Sequence, residues 1–266
     1  MECLRVSFEP IPMVLVHGWA GSAESWRPVL DALKDRWDAP VVAARLPGSP
    51  GEQSGRRPTI ADAVESVAEL IEELRSPVIV VGHSMGAQVT LRLQALVPEK
   101  LGGEIVIDPA YAAEDHQLMP MIEWAAQINQ AGPSALAEFF AESFGPALSG
   151  PDRERILNDL SATPASVISS YLRSEYVDAD AVGLWTQTFR AAKRRTRPVL
   201  AFHSTLERAL QERALPAPAG SDIRVWDGAG HFLHLEDPIR FASDSARWAE
   251  ITVMSALTAS LMKEPK

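Results

Sequence analysis

A strand–turn–helix signature over residues 77–97 constrains the fold of this chain more than any other feature. The pentapeptide Gly82-His83-Ser84-Met85-Gly86 follows an apolar, β-branched run over 77–81, which is typical of a parallel strand buried on both faces. The residues after Ser84 are helix-compatible and stop before Pro98. A serine placed so between glycines predicts a nucleophile elbow, in which the hydroxyl stands clear of the sheet beside the positive end of a helix.

A serine nucleophile also needs backbone N–H donors for the oxyanion that forms during acyl transfer. An early strand over 13–16 is followed at once by His17-Gly18-Trp19, and a glycine at this place lets the backbone turn its N–H groups toward the elbow. The predicted donors are the backbone N–H groups of Trp19 and Met85. The alternative interpretation is an ordinary glycine turn before the next helix.

The general base that activates such a serine is expected in a loop near the C-terminus. A late strand over 223–226 leads into a loop in which two glycines precede His231, so the loop can fold back over the sheet. His231 is therefore the candidate base. We interpret His234 as structural, and His17 and His83 as buried, hydrogen-bonded side chains.

Three segments together resemble the α/β-hydrolase superfamily. They are His17-Gly18-Trp19 after a strand, Gly82-His83-Ser84-Met85-Gly86 at the elbow, and the run from Gly228 to Pro238. The resemblance covers roughly residues 10 to 110 and 196 to 250. It implies that Ser84 is the nucleophile and His231 the general base, with an acid between them in the chain. It specifies the superfamily well and the substrate hardly at all.

The acid is where the chain departs from the superfamily pattern. Many members carry it in a Gly-x-x-Asp turn after the strand that follows the cap, but here that turn reads Ser204-Thr205-Leu206-Glu207-Arg208. Glu207 has the right offset and can equally be a solvated helix glutamate. Some members place the acid one strand earlier, where this chain has Asp108, which can also be a simple turn residue before a proline. We favour Asp108, because the usual turn has lost its glycine and aspartate.

Alternating apolar runs and turn signals predict an α/β fold. The expected architecture is a mostly parallel central sheet of about seven strands, flanked by helices and carrying an inserted helical cap. The core domain is predicted to comprise residues 1–111 and 196–266, and the cap residues 112–195. Strands are predicted near 3–8, 13–16, 40–44, 77–81, 104–107, 198–203 and 222–227. Helices are predicted near 23–35, 59–75 (with Thr59 as N-cap), 85–97, 205–214 and 238–261.

The predicted cap is rich in large apolar side chains and is punctuated by Gly-Pro pairs. Such side chains either pack the core of the cap or line an apolar pocket above Ser84. The residues predicted to line the pocket are Trp19, Met119, Ile122, Trp124, Phe140 and Trp185.

Composition narrows the classes of partner. The formal net charge of −10 argues against nucleic acid and anionic membranes, and the single cysteine, Cys3, allows no internal disulfide. No signal peptide or long apolar span is visible, so a cytoplasmic protein with a small-molecule substrate is expected. Neither a metal-ligand spacing nor a phosphate loop is present, so no metal and no cofactor are expected. The oligomeric state stays open.

The favoured function is hydrolysis of a carboxylic ester or lactone of a small, largely apolar substrate through an acyl-serine intermediate. Three alternatives remain open within the same fold. The first is cleavage of a carbon–carbon bond or a lyase reaction. The second is a cofactor-free perhydrolase or haloperoxidase activity on the same residues. The third is a ligand receptor without catalysis.

Overall fold

Six parallel strands form the central sheet of the computed structural model, which describes residues 11–254. They are β1 (Met13–Val16), β2 (Val41–Ala43), β3 (Val78–His83), β4 (Leu101–Ile107), β5 (Val199–His203) and β6 (Asp222–Val225), in the spatial order β2-β1-β3-β4-β5-β6. Met13 of β1 pairs with Val41 on one side and Ile79 on the other. The parallel, doubly covered sheet was predicted, whereas the strand expected near residues 3–8 lies outside the described residues.

Side-chain alternation along the strands divides the core into two layers. In β1, Met13 and Leu15 pack with Trp26 and Phe241 on one face, whereas Val14 and its neighbours pack with helices on the other. Residues of β1, β3 and β4 are buried throughout because both faces are covered. This explains why these strands read as continuous apolar runs in the sequence.

Eleven α-helices are present in residues 11–254. They are α1 (Arg27–Leu33), α2 (Ile60–Leu74), α3 (Met85–Leu96), α4 (Leu118–Ala131), α5 (Ala137–Glu142), α6 (Gly150–Ala162), α7 (Ala165–Tyr176), α8 (Trp185–Ala192), α9 (Leu206–Arg213), α10 (Leu233–Glu236) and α11 (Pro238–Trp248). Thr59 caps α2 as predicted, accepting a hydrogen bond from the Asp62 N–H at 3.2 Å. The helix predicted from residue 238 ends at Trp248 and continues as one π-helical turn to Met254.

Helices α4–α8 occupy the segment between β4 and β5, and α4 packs on α7. This segment contains no strand within residues 112–195, only one isolated bridge between Ala113 and Leu184. It is joined to the loop after β1 by the Trp19 indole, whose Nε1 donates to the Ile168 carbonyl on α7 at 2.9 Å. The segment is therefore held against the carboxyl edge of the sheet, where α/β folds place their chemistry.

Candidate active site

Ser84 lies in a strained turn between β3 and α3, with φ of 52° and ψ of −118°. The turn is possible because its neighbours lack side chains. A Cβ on Gly82 would lie 2.5 Å from the Gly86 carbonyl oxygen, and a Cβ on Gly86 would collide with the Val16 carbonyl. These close approaches pack α3 directly against β1 and β3, and they fix the serine at the end of its strand.

His231 and Asp108 form a short hydrogen bond, with 2.7 Å between His231 Nδ1 and Asp108 Oδ2. The other Asp108 oxygen accepts from the backbone N–H and the hydroxyl of Ser204, at 3.1 and 3.0 Å. Burial of Asp108 opposes its ionisation, but the hydrogen bond and charge of His231 and the Ser204 N–H outweigh it and lower the pKa of Asp108. Glu207 is exposed in the first turn of α9, so Asp108 is the carboxylate that contacts the histidine.

Three further histidines, His17, His83 and His234, line the same cavity as His231, and all three are buried. Burial, offset in part by a backbone hydrogen bond to Gly18, lowers the pKa of His17 to about 4. Burial and the charge of His231 lower the pKa of His234 to about 3, and burial likewise depresses the pKa of His83. The His83 ring lies 4.7 Å from the His231 ring and its Nε2 contacts the His231 carbonyl at 3.1 Å. Because these rings stay neutral near pH 7, they add no positive charge beside the candidate base.

A cavity of about 680 Å³ lies over Ser84 and is lined by Ser84 and His231 together. Three of the predicted lining residues border it: Trp19, Trp124 and Phe140. The Trp19 ring packs edge-on against Trp124, with centroids 5.4 Å apart, and stacks on Phe140 at 6.2 Å. The wall formed by these rings and by Met121 is apolar.

The lining differs from the predicted one at three positions. Met119 is 59% exposed on the outer side of α4, and Met121, two residues further along the helix, faces the cavity instead. Ile122 is half-buried away from the cavity. Trp185 packs against Phe189 at the other end of the inserted segment. The apolar composition of this segment predicted a pocket. Which side of a helix faces that pocket depends on how the helix is rotated about its axis, and the composition does not specify the rotation.

The two predicted oxyanion donors belong to backbone segments that adjoin Ser84. Met85 is the first residue of α3, where the helix leaves its N–H groups free of internal partners. Gly18, next to Trp19, approaches so closely that a Cβ on it would be 3.1 Å from the Ser84 Cβ. The backbone after β1 therefore reaches the serine, as the interpretation of these residues requires.

The sequence analysis did not predict several polar residues at or next to the site, and a buried pair of them stands out. Glu175 of α7 lines the cavity and is 3% exposed, and Gln88 of α3 donates to its Oε2 at 3.2 Å. A signal was available, because Glu175 falls three and four residues after Leu172 and Tyr171, on the apolar face of its helix. A carboxyl group on the apolar face of a helix is expected to be buried together with that face.

Within residues 11–254 no cluster of three or more histidine, cysteine or acidic side chains is placed to hold a metal ion. In the same part of the chain, no helix combines the length and the apolar character needed to cross a membrane.

The parallel sheet and the serine elbow define an α/β-hydrolase fold, and comparison with known proteins agrees. The model of the alpha/beta hydrolase family matches residues 13–244, so the chain belongs to the alpha/beta hydrolase family. Over 131 residues the chain is 30% identical to the biotin biosynthesis bifunctional protein BioHC of Cellvibrio japonicus, a match covering 47% of this chain and 24% of that protein. The chain spans only part of the curated relatives that it matches. For three of them, BioHC included, the matched share of the relative's own length is 24%, 32% and 59%.

Two solved structures show the same fold. A bromoperoxidase from Bacillus anthracis superposes with a TM-score of 0.75 at 17% identity, covering 91% of this chain and 92% of the other. A thermophilic esterase from Thermogutta terrifontis gives a TM-score of 0.74 at 20% identity, covering 91% and 90%. At identities this low the likeness concerns the fold, and the chemistry must be argued from the site.

Proposed function

We propose that this protein is a serine hydrolase that cleaves a carboxylic ester or lactone of a small, largely apolar substrate through an acyl-serine intermediate. The observation that carries the proposal is the convergence of three side chains at one sheet edge. Ser84 stands in an elbow at the end of β3, His231 borders the same cavity, and Asp108 holds Nδ1 of that histidine at 2.7 Å.

In the proposed reaction, Nε2 of His231 removes the proton of the Ser84 hydroxyl as Oγ bonds to the substrate carbonyl carbon. The Asp108 carboxylate fixes the histidine tautomer and stabilises the imidazolium that forms. The backbone N–H groups of Trp19 and Met85 hold the oxyanion of the tetrahedral intermediate. When the intermediate collapses, the carbon–oxygen bond of the leaving group breaks and His231 returns the proton to the leaving alkoxide. Water, deprotonated by His231, then releases the acid and restores Ser84.

The aromatic wall supports an apolar acyl group. Trp19, Trp124 and Phe140 border the cavity beside the serine, and burying apolar substrate surface against such rings is favourable by about 25 cal/mol per Å². In this proposal helices α4–α8, within the predicted cap of residues 112–195, form the roof of the site.

The proposal predicts that Ser84→Ala abolishes ester turnover with little loss of stability, with kcat falling by about 10⁴-fold or more. A fluorophosphonate probe should label Ser84 in the wild-type protein. Ser161→Ala is the control, because Ser161 is exposed on α6 and its hydroxyl bonds only the Leu157 carbonyl. Full activity in the Ser84→Ala protein, or labelling of a different serine, would contradict the mechanism.

Two measurements separate this function from two of the alternatives, a receptor without catalysis and a carbon–carbon bond hydrolase. A burst of chromogenic alcohol, equal to the enzyme concentration, marks an acyl-enzyme and excludes a receptor that only binds. Product analysis with a β-diketone distinguishes ester hydrolysis from cleavage of a carbon–carbon bond. Turnover of the diketone with none of p-nitrophenyl esters would replace the proposed reaction by the second.

A further inference from the structure

Glu175 is a carboxyl group that the proposed mechanism does not use, and it lies in the wall of the catalytic cavity. It is the penultimate residue of α7 and is 3% exposed. Burial raises the pKa of Glu175 well above its ordinary value, and no charged partner within residues 11–254 opposes this effect. No lysine or arginine within residues 11–254 contacts this buried carboxyl group, so its protonated form is favoured, and that form has one hydroxyl donor and two acceptor oxygens.

The groups around Glu175 leave that donor available. Gln88 Nε2 donates to the Ala110 carbonyl at 2.7 Å and to Glu175 Oε2 at 3.2 Å, so Oε2 is the acceptor oxygen of the acid. The Tyr176 hydroxyl also donates to the Ala110 carbonyl, at 2.7 Å, and so turns away from Glu175. The acidic proton consequently resides on Oε1, which has no hydrogen-bond partner within residues 11–254.

The position of Glu175 relative to the nucleophile is fixed by the same contacts. The Ala110 N–H donates to the Ser84 carbonyl at 3.1 Å, and the Ala110 carbonyl receives the Gln88 amide that contacts Glu175. The carboxyl group is thus joined to the backbone of Ser84 through two residues. The lining of the cavity thus contains both aromatic rings and this carboxyl group, and a substrate attached to Ser84 that fills the cavity contacts both.

We propose that Glu175 is a specificity-determining residue that donates a hydrogen bond to a second, uncharged oxygen of the substrate. The substrate class is then an ester or lactone whose acyl part carries an ether, keto or ring oxygen in addition to the scissile carbonyl. This inference rests on the proposed ester hydrolysis and specifies its substrate. Glu114, Asp159 and Glu207 line the cavity together with Arg208, so the charge of the lining does not by itself favour an ionised acyl group.

The test uses pairs of p-nitrophenyl esters in which one methylene is replaced by oxygen. The pairs are butyrate with methoxyacetate, pentanoate with 3-methoxypropanoate, and hexanoate with 4-methoxybutanoate. For each enzyme the kcat/KM of the ether ester is divided by that of its all-carbon partner. Dividing the wild-type ratio by the ratio for Glu175→Leu then cancels the intrinsic reactivity of the esters and the folded fraction of each preparation.

At one oxygen position we expect the wild-type ratio to exceed the Glu175→Leu ratio by about five- to tenfold, the scale of one hydrogen bond. Glu175→Gln keeps an N–H donor of similar size and should retain most of the preference, whereas Glu175→Met should lose it as the leucine variant does. Asp159→Asn is the matched control. Asp159 also lines the cavity but already accepts a hydrogen bond from the Ser22 hydroxyl at 2.7 Å, so its variant should keep the wild-type ratio.

Two negative results have different meanings. Equal ratios in the wild-type protein and in Glu175→Leu at all three positions, with Ser84-dependent turnover intact, would overturn this inference alone. Absence of Ser84-dependent turnover with all six esters would overturn both the inference and the proposed function.

Discussion

Ser84 and Asp108, the proposed nucleophile and acid, both hold a left-handed backbone conformation without being glycine. Their φ angles are 52° and 39°, and conformations of this kind cost roughly 1–3 kcal/mol each. Each residue directly follows a strand, and its backbone N–H makes one further hydrogen bond to the neighbouring strand, which stabilises the strained conformation. The Ser84 N–H donates to the Ile107 carbonyl at 3.0 Å, and the Asp108 N–H donates to the Phe202 carbonyl at 2.8 Å. The two strained conformations are thus stabilised by hydrogen bonds to strands that are buried on both faces.

The two candidate acids can be ranked by substitution. Asp108→Asn should lower kcat by about 10⁴-fold, because an amide cannot supply the charge that orients and stabilises the protonated His231. Glu207→Gln is the matched control, since Glu207 borders the cavity yet is exposed on α9, and it should cost less than about tenfold. Steady-state kinetics on one chromogenic ester measures both. The reverse ranking would transfer the role to Glu207.

The same substitution should change how stability depends on pH. Because the pKa of Asp108 is lowered in the folded protein, the folded state favours its ionised form relative to the unfolded chain. Its contribution is therefore complete above the ordinary value of 3.8 and is lost as the pH falls below it. The difference in melting temperature between wild type and Asp108→Asn should shrink below about pH 4. A constant difference down to pH 3 would contradict the shift.

The motifs around Ser84 and His231 were enough to predict the nucleophile and the base from the sequence. The motifs left two candidates for the acid, Asp108 and Glu207, of which Asp108 was favoured. The choice depends on where two loops end in space, and no local pattern specifies that. Glu175 was overlooked for a related reason. Its burial follows from the packing of α7 against α2 and α4, and that burial raises the pKa of its carboxyl group.

At the level of elements, the histidine loop and the loop between α5 and α6 are held together by one carboxylate. Glu236 of α10 accepts from the Gly230 N–H at 2.6 Å and from the Ala147 N–H at 3.3 Å. In addition, the His231 N–H donates to the Ser143 carbonyl at 2.9 Å. The approach is so close that a Cβ on Gly230 would collide with the backbone of the other loop. The inserted segment therefore positions the proposed base.

Glu236→Ala removes both acceptors and should lower kcat about 10- to 100-fold, a loss typical of a misplaced catalytic group, while KM changes little. The fluorophosphonate labelling rate of Ser84 should fall by the same factor, which a purely structural role would not require. Glu154→Ala is the control, because Glu154 is exposed on α6 and does not line the cavity. A loss in melting temperature with unchanged kcat would show that Glu236 only stabilises the fold.

The strands and most core helices were predictable because they are continuous apolar runs or amphipathic stretches with clear end signals. Thr59 before α2 is one such signal. The rotation of the inserted helices was not predictable, since Met119 and Met121 differ by two positions on one helix yet face opposite environments. That choice depends on long-range packing against Trp19 and its neighbours.

At the scale of the whole molecule, one buried ionic cluster joins the two ends of the inserted segment to the sheet. Tyr111 lies where the chain leaves the core and Arg195 where it returns, and Arg195 Nη2 donates to the Tyr111 hydroxyl at 2.8 Å. Arg195 also contacts Glu212 of α9 at 3.0 Å and Glu104 of β4 at 3.5 Å, with all these side chains nearly inaccessible. Tyr111 and Arg195, which are 84 positions apart in the sequence, are thereby fixed to the same strand, β4, and the same helix, α9.

Removing the only arginine or lysine that contacts these buried carboxylates within residues 11–254 should be costly. Arg195→Met leaves Glu104 and Glu212 without charge compensation, and the free energy of unfolding at pH 7 should fall by about 3–5 kcal/mol. Arg194→Met, at the exposed neighbouring position, should change it by less than about 0.5 kcal/mol. Chemical denaturation of both variants measures the difference.

The pH dependence of this loss follows from Glu104. Burial raises the pKa of Glu104 even though Arg195 opposes the shift, so loss of the arginine raises it further. A carboxyl whose folded pKa lies above its unfolded value binds a proton more readily in the folded state. The folded state therefore loses stability as the pH rises above the ordinary value of 4.5. The destabilisation by Arg195→Met should consequently be smaller at pH 5 than at pH 8. An equal loss at both values would mean that Glu104 stays ionised without Arg195, and that packing rather than charge holds the ends of the insertion together.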